Sequence, residues 1–262
     1  MGVAADRTLT MASSQPPELQ IEAVPVLADN YVFLLSRGQQ AVLVDPAVAE
    51  PLIALLEARS LELVAVLQTH HHADHIGGTP ALLERWPGCR VYAAAADIER
   101  IPFQSDGVAE GDQFTLLEQP VEVLAVPGHT CAHVAYHLPQ SGDVFVGDTL
   151  FVAGCGRLFE GTALQLWSAL QRLTALPPDT RLWCAHEYSA ANLRWAIEQV
   201  PVAEPLSQAL KQRLAQVQQL RRCGVPSVPT TVASEQATNL FVLAQGPEEL
   251  AQLRRRKDTW RG

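Results

Sequence analysis

Between Leu67 and Gly78 the chain reads Leu-Gln-Thr-His-His-His-Ala-Asp-His-Ile-Gly-Gly, which sets four candidate metal ligands, His70, His72, Asp74 and His75, within six residues. Imidazole is a neutral donor to first-row metals such as zinc and iron, and carboxylate is a charged one. On an extended segment, residues two apart face the same side. His70 and His72 can therefore share one ion. Asp74 has their parity and His75 does not, which directs His75 to a different point. Three further candidates each follow an apolar run: His129 after Val121–Val126, Asp148 after Val144–Gly147, and His186 after Leu182–Ala185. Taken singly, His129 reads as well as a surface histidine, Asp148 as a turn residue and His186 as the start of a helix. Apolar runs that end on His or Asp four times over converge these side chains on one edge of a sheet. One tetrahedral zinc takes four ligands, or three and a water, so seven candidates suit two ions. A carboxylate has two oxygens and can bridge; Asp148 is the candidate bridge. Among the remaining histidines, His71 points away from its neighbours, and His133 and His137 share a strand face, with His133 placed to orient a ligand.

The elements that must position these residues follow from periodicity. Ile21–Val26, Tyr31–Ser36 and Ala41–Asp45 read as a strand meander, with turn chemistry at Asp29-Asn30 and Gly38. Glu50–Arg59 has helical spacing, and Leu63–Gln68 is a short, apolar, buried strand that delivers the His cluster. Gly77 and Gly78 read as a tight turn, followed by a helix over Thr79–Trp86 with Thr79 as N-cap and Pro80 at its first position. Val121–Val126, Val134–Leu138, Asp143–Val146 and Arg181–Ala185 are further strands, and Thr162–Ala175 is an amphipathic helix. From Glu187 the pattern turns helical, over Glu187–Val200, Glu204–Arg222 and Gly246–Arg256, with a Pro/Val-rich break at Val225–Pro229. The expected organisation is a disordered extension over residues 1–20, a mixed α+β unit over 21–186 and a helical unit over 187–262.

A chain of 262 residues buries roughly 75% of its unfolded surface and needs no metal merely to fold. Its net charge of −9 speaks against nucleic acid as the main partner. No apolar run reaches the ~18 residues of a membrane span, and the N-terminus lacks the charged start and apolar core of a secretory signal. The five cysteines form no Cys-x-x-Cys pair, which suits a reducing cytoplasm, and they read as small buried hydrophobes. Gly154, Gly156 and Gly161 miss the dinucleotide spacing, because Phe159 stands where a glycine is needed. No Gly-x-Ser-x-Gly elbow supplies a serine nucleophile.

The His-x-His-x-Asp-His run after a strand resembles the metallo-β-lactamase superfamily. Within it, Gly147–Gly161, Thr69–His75, Pro127-Gly-His-Thr130 and His186-Glu-Tyr188 resemble glyoxalase II, the hydroxyacylglutathione hydrolase family, as does the closing Leu253–Asp258. The resemblance covers the chain from about Ile21 onward. It implies a four-layer αβ/βα sandwich with a smaller α-helical C-terminal domain. It implies one metal on His70, His72 and His129, another on Asp74, His75 and His186, and Asp148 between them; zinc is the expected ion, with iron or manganese suited to the same donors. It implies a glutathione site at Arg157, Leu158, Phe159, Tyr188, Arg254 and Lys257. Two positions depart from the family pattern: Ser189 follows the tyrosine where Thr is usual, and Leu243 stands where Arg is frequent.

The implied activity is hydrolysis of S-lactoylglutathione and related 2-hydroxyacyl thioesters to glutathione and a 2-hydroxy acid, the second step of methylglyoxal detoxification, by a cytoplasmic monomer. Two cations would lower the pKa of a water toward ~7, with Asp74 as ligand and proton acceptor. Arg254-Arg-Arg-Lys257 supplies cations for the two carboxylates of glutathione in a chain with only two lysines; a solvated helix end would carry the same residues. The competing readings are a mononuclear iron persulfide dioxygenase on the same scaffold, another metallohydrolase such as a lactonase, and a metal-binding protein without catalysis.

Overall fold

The computed structural model describes residues 17–262, so the expected N-terminal extension lies, up to residue 16, outside the described residues. Six strands form the first sheet in sequence order: β1 (Gln20–Val26), β2 (Asn30–Arg37), β3 (Gln40–Val44), β4 (Glu62–Leu67), β5 (Arg90–Ala94) and β6 (Asp106–Val108). The β1–β2–β3 meander is antiparallel, and β3 to β6 run parallel. Parallel neighbours need crossovers, and α1 (Glu50–Ala58) and α3 (Thr79–Arg85) supply the first two. The second sheet contains β7 (Gln113–Leu116), β8 (Gln119–Ala125), β9 (Val134–Leu138), β10 (Asp143–Gly147), β13 (Arg181–Cys184) and β14 (Thr230–Thr231), in the order β14-β13-β10-β9-β8-β7. A small hairpin of β11 (Leu150–Phe151) and β12 (Gly154–Cys155) leaves the end of β10.

Alternation along the strands sorts side chains between two cores. Tyr31, Phe33 and Leu35 of β2, with Val42 and Val44 of β3, enter the core shared with Tyr136, Phe145 and Trp183 of the second sheet. Val32 and Leu34, with Leu43 of β3, face the opposite way and meet Leu52 and Leu56 of α1 and Leu82 of α3. Burial on both faces explains why β2, β3 and β4 read as nearly unbroken apolar runs. The outer face of the second sheet is covered by α4 (Ala163–Thr174), whose N-cap Thr162 and Gln165 form the reciprocal capping box. The result is the expected four-layer α+β sandwich.

The C-terminal helices are α5 (Ser189–Gln199), α6 (Pro205–Arg222), α7 (Val232–Thr238), α8 (Leu240–Leu243) and α9 (Pro247–Thr259). α7, α8 and α9 pack on α4, and α5 and α6 pack on each other. α5, α6, α8 and α9 join the same core through Trp195, Leu210, Phe241 and Leu250, and β14 adds a strand to β13. This region is thus continuous with the sandwich it follows.

Several local expectations change. The His cluster is not extended throughout: a short helix, α2 (Ala73–Ile76), begins right after His72, so the parity argument ends there. Asp74 and His75 diverge by helical rotation. Gly77 and Gly78 do make the turn from α2 into α3, but with φ of −60° and −82°, ordinary helical values, so no left-handed conformation requires glycine there. They are glycines because a Cβ on Gly78 would lie 2.4 Å from the carbonyl carbon of Val48. Thr79 does not cap α3; Gly78 holds that position, and the buried Thr79 hydroxyl accepts from Gln68 Nε2 at 2.8 Å. Cys131 and Cys223 are exposed, unlike Cys89, Cys155 and Cys184.

Candidate metal centre and substrate cleft

One edge of the sandwich receives the C-terminal ends of β4, β8, β10 and β13 and the start of β2. There the sheets are stitched together: Tyr31 N donates to Ala185 O at 2.7 Å and Glu187 N to Asp29 O at 2.8 Å. All seven His and Asp candidates arrive at this edge: His70 and His72 after β4, Asp74 and His75 in α2, His129 after β8, Asp148 after β10 and His186 after β13.

Three donor groups form among the described residues, one of them, Asp45 with His70 and His75, lying behind the other two. His70, His72 and His129 bring one ligand atom each within 4.8 Å of one another, as do Asp74, His75 and His186. In the first, His72 Nδ1 lies 3.0 Å from His70 Nε2 and 3.1 Å from His129 Nε2. In the second, Asp74 Oδ2 is 3.6 Å from His186 Nε2 and 3.9 Å from His75 Nε2. Asp148 stands between them, Oδ2 at 3.4 Å from His129 Nε2 and Oδ1 at 3.3 Å from His186 Nε2 and 3.4 Å from His75 Nε2.

The far nitrogen of most of these rings is held by an acceptor, which fixes the tautomer. His75 Nδ1 faces Asp45 Oδ2 at 3.0 Å, His186 Nδ1 faces Asp29 Oδ1 at 2.9 Å, and His129 Nδ1 faces Arg157 O at 2.9 Å. Carboxylates and carbonyls only accept, so each Nδ1 carries the proton and each Nε2 presents a lone pair to the centre. Thr69 Oγ1 donates to Asp45 Oδ2 at 2.6 Å, which leaves it to accept from His70 Nδ1 at 3.0 Å. Asn30 Nδ2 donates to both Asp74 O and Asp74 Oδ2, at 3.1 and 3.2 Å, and aims that carboxylate. His133 Nε2 accepts from the Asp148 amide at 3.1 Å and stacks on His70, so it does orient the ligand set. His71 lies outside it, between Asp97 and Glu160, and His137 pairs with Glu122 across strands.

The electrostatics fit cations. Burial, reinforced by neighbouring imidazoles, holds His70, His72 and His129 below the ordinary histidine value, so they stay neutral donors. Burial opposes charge on His75 and His186 too, but Asp148 outweighs it, with Asp45 and Asp29 assisting, and raises both. Burial would likewise raise Asp148; His75 and His186 reverse this and hold it well below the carboxylate range. The buried atoms His75 Nε2 and Asp148 Oδ1 have no hydrogen-bond partner among the described residues. Neutral imidazoles on one side, and on the other a carboxylate that holds positive charge against His75 and His186, make the donor set of a divalent metal site, whose ion would displace the Nε2 protons of those two rings.

A cleft of about 460 Å³ opens from this centre toward α5 and α9, lined among others by Arg157, Phe159, Tyr188, Arg254 and Lys257. Tyr188 stacks on His186 at 4.8 Å between ring centres, and Phe159 presents its edge to His72 and His129. Leu158 turns into the core and does not line the cleft. The basic run divides: Arg254 and Lys257 share one face of α9, three residues apart, while Arg255 and Arg256 are exposed. Arg254 is buried, its Nη1 donating to Cys155 O at 2.9 Å and its Nε to Asp258 Oδ1 at 3.0 Å. Asp29, Asn30, Asp45 and Thr69 were not singled out as site residues from sequence.

A two-sheet edge carrying this His/Asp cluster defines a metal-site protein of the metallo-β-lactamase class. The family described as "Metallo-beta-lactamase superfamily" matches residues 26–186, and "Hydroxyacylglutathione hydrolase C-terminus" matches residues 187–260. Hydroxyacylglutathione hydrolases of Prochlorococcus marinus (strain MIT 9303) and Parasynechococcus marenigrum (strain WH8102) are each 53% identical to this chain. The first alignment covers 98% of this chain and 99% of the relative, the second 92% and 98%. Among solved structures, ETHE1 from Myxococcus xanthus has a TM-score of 0.67 at 26% identity over 93% of this chain and 92% of its own. TTHA1623 in a di-iron-bound form has 0.52 at 31% over 64% and 91%. The chain belongs to the hydroxyacylglutathione hydrolase (glyoxalase II) family and is a thioester hydrolase. The relatives support this over the dioxygenase and lactonase readings. Among the described residues no helix is long and apolar enough to cross a membrane.

Proposed function

We propose that the enzyme cleaves S-(2-hydroxyacyl)glutathione, S-lactoylglutathione among such substrates, to glutathione and the 2-hydroxy acid. His70, His72 and His129 would hold one divalent ion, and Asp74, His75 and His186 a second, with Asp148 shared. The observation that carries this reading is the split of Asp148, one oxygen toward each donor group. Zinc is the proposed ion, and iron suits the same donors, as the di-iron-bound form of TTHA1623 illustrates for that protein. Bound ions would supply Lewis acidity, lowering the pKa of a water toward ~7 and polarising the thioester carbonyl.

The chain's own residues do the rest. Asp74, half-exposed and aimed by Asn30, faces the cleft where it can take a proton from the attacking water. Lys257, Arg157 and the outward edge of Arg254 offer cations to the glutathione carboxylates, with Asp258 holding Arg254 and, at 3.8 Å, Arg157. Phe151, Phe159 and Tyr188 wall the reacting end with rings. Leu158 supports this segment from the core rather than touching substrate. In this reading residues 21–186 carry the chemistry and 187–262 the glutathione tail. The enzyme acts as a cytoplasmic monomer, a compartment suited to its five free thiols.

The test joins metal analysis and an S-lactoylglutathione assay on one preparation. Two ions per chain are expected, with turnover lost on chelation and restored by added metal. Undiminished turnover by metal-free protein refutes the mechanism, and an Asp148→Ala variant that still holds two ions refutes the shared carboxylate.

A further inference from the structure

The β11–β12 hairpin is too short to hold itself. It has two ladder pairs, and its turn places Ala153, a residue with a Cβ, at φ +52°. Such a conformation persists where the surroundings over-determine it. Here every residue from 151 to 155 has a backbone group caught by a side chain from the C-terminal region. Asn239 Nδ2 donates to Phe151 O at 3.3 Å and Gly154 O at 2.9 Å. Asn192 Nδ2 donates to Val152 O at 3.0 Å, and Arg254 Nη1 to Cys155 O at 2.9 Å. The Ala153 amide donates to Glu235 Oε2 at 2.9 Å. Glu235 and Asn239 are fully buried and joined by a 2.8 Å hydrogen bond, and Arg213 and Thr230 Oγ1 satisfy the other Glu235 oxygen.

We propose that Glu235 and Asn239 are positioning residues for the substrate cleft. They lock the hairpin backbone, and the hairpin places Phe151 against His186 and Tyr188 and sets the carbonyl of Cys155 under the Arg254 guanidinium. The proposal rests on the glutathione-tail role given above to Arg254. Asp148 is held by its amide on His133 and His186 by Asp29, so both keep their own hydrogen bonds when the hairpin loosens and the effect falls on substrate binding.

Asn239→Ala and Glu235→Gln should each raise KM for S-lactoylglutathione about tenfold, the scale of one lost charge-linked hydrogen bond. They should leave kcat within about twofold and metal content unchanged. In Glu235→Gln the amide oxygen turns to Arg213, so the Ala153 amide loses its acceptor and its hydrogen exchange accelerates. Gln236→Ala is the control: it removes a 2.8 Å bond from the same helix to Thr174 O, lowering stability without moving KM. Wild-type KM in both positioning variants overturns the proposal. So does an Ala153 amide that exchanges at the open-chain rate in the wild-type protein, a readout that stands even if a variant fails to fold. Metal-loaded wild-type protein without turnover would instead overturn the substrate assignment, and the exchange measurement would still decide the clamp.

Discussion

Asp45 couples the two donor groups. It is buried, accepts from Thr69 N at 2.7 Å through Oδ1, and collects Thr69 Oγ1 and His75 Nδ1 on Oδ2. Through the Thr69 hydroxyl it also reaches His70 Nδ1. One carboxylate oxygen therefore sets the tautomer of His70 in one group and His75 in the other. Asp45→Asn is nearly isosteric but reverses this. With its oxygen kept on Thr69 N, the new NH₂ donates toward both Thr69 Oγ1 and His75 Nδ1. His75 must then carry its proton on Nε2, pointing at the metal. The Thr69 hydroxyl must turn to donate to His70 Nδ1, with the same result for His70. Loss of such an outer partner costs about 10–100-fold in metal affinity, or roughly 1.4–2.7 kcal/mol for each ion. Asp45→Asn should impose that loss on both ions; Thr69→Val breaks the relay to His70 alone and should weaken one. The assay is metal content by mass spectrometry after equilibration against graded chelator. Two ions retained at wild-type affinity in Asp45→Asn would refute the tautomer argument, and equal losses at both ions in Thr69→Val would refute the relay.

Two further outcomes can be checked directly. Lys257 sits 5.3 Å from the ring of Trp195 and 4.9 Å from that of Trp260; burial, and after it the charge of Arg254, pushes its ammonium down to about 8. The positive form is present below that value and is lost as pH rises through it, so KM for the carboxylate-bearing substrate should climb above about pH 8 and flatten in Lys257→Met; initial rates across the range would show a pH-independent KM if the assignment is wrong. Trp195 is fully buried and stacks on Phe241 at 5.2 Å, so Trp195→Ala should cost about 3–5 kcal/mol of stability, and an unchanged denaturant midpoint would show that the helical region does not share the core.

What was legible in the sequence was what periodicity and residue chemistry mark locally. Each of the seven His and Asp candidates closes, or lies just beyond, a run of buried β residues, and the structure brings all of them to one edge. The carboxylates behind them carried weaker signals. Asp45 ends the apolar run Ala41–Val44 as Asp148 ends Val144–Gly147, so the same rule would have found it. Asp29 had no such mark: a turn aspartate looks alike whether or not a histidine from residue 186 reaches it. The strands Arg90–Ala94, Asp106–Val108 and Gln113–Leu116 went unread because three to five residues leave little periodicity and pairing is decided by distant neighbours. The hairpin at 150–155 was hidden for a related reason, since its conformation is imposed by side chains of residues 192, 235, 239 and 254.

The divided basic run bears most on substrate affinity. Read linearly, Arg254-Arg-Arg-Lys257 looks like one cationic patch; wound into α9, it sends two residues to solvent and two to the cleft. Those two differ. Arg254 already spends most of its donors on Asp258 and Cys155 O, and Asp258 also draws Arg157. Lys257, by contrast, has no carboxylate within ion-pair distance among the described residues, and lies against aromatic faces instead. An ammonium desolvated in this way gains more from an incoming carboxylate than one already paired. Substrate affinity should therefore rest on Lys257 more than on Arg254, whose replacement would act chiefly through the hairpin it holds.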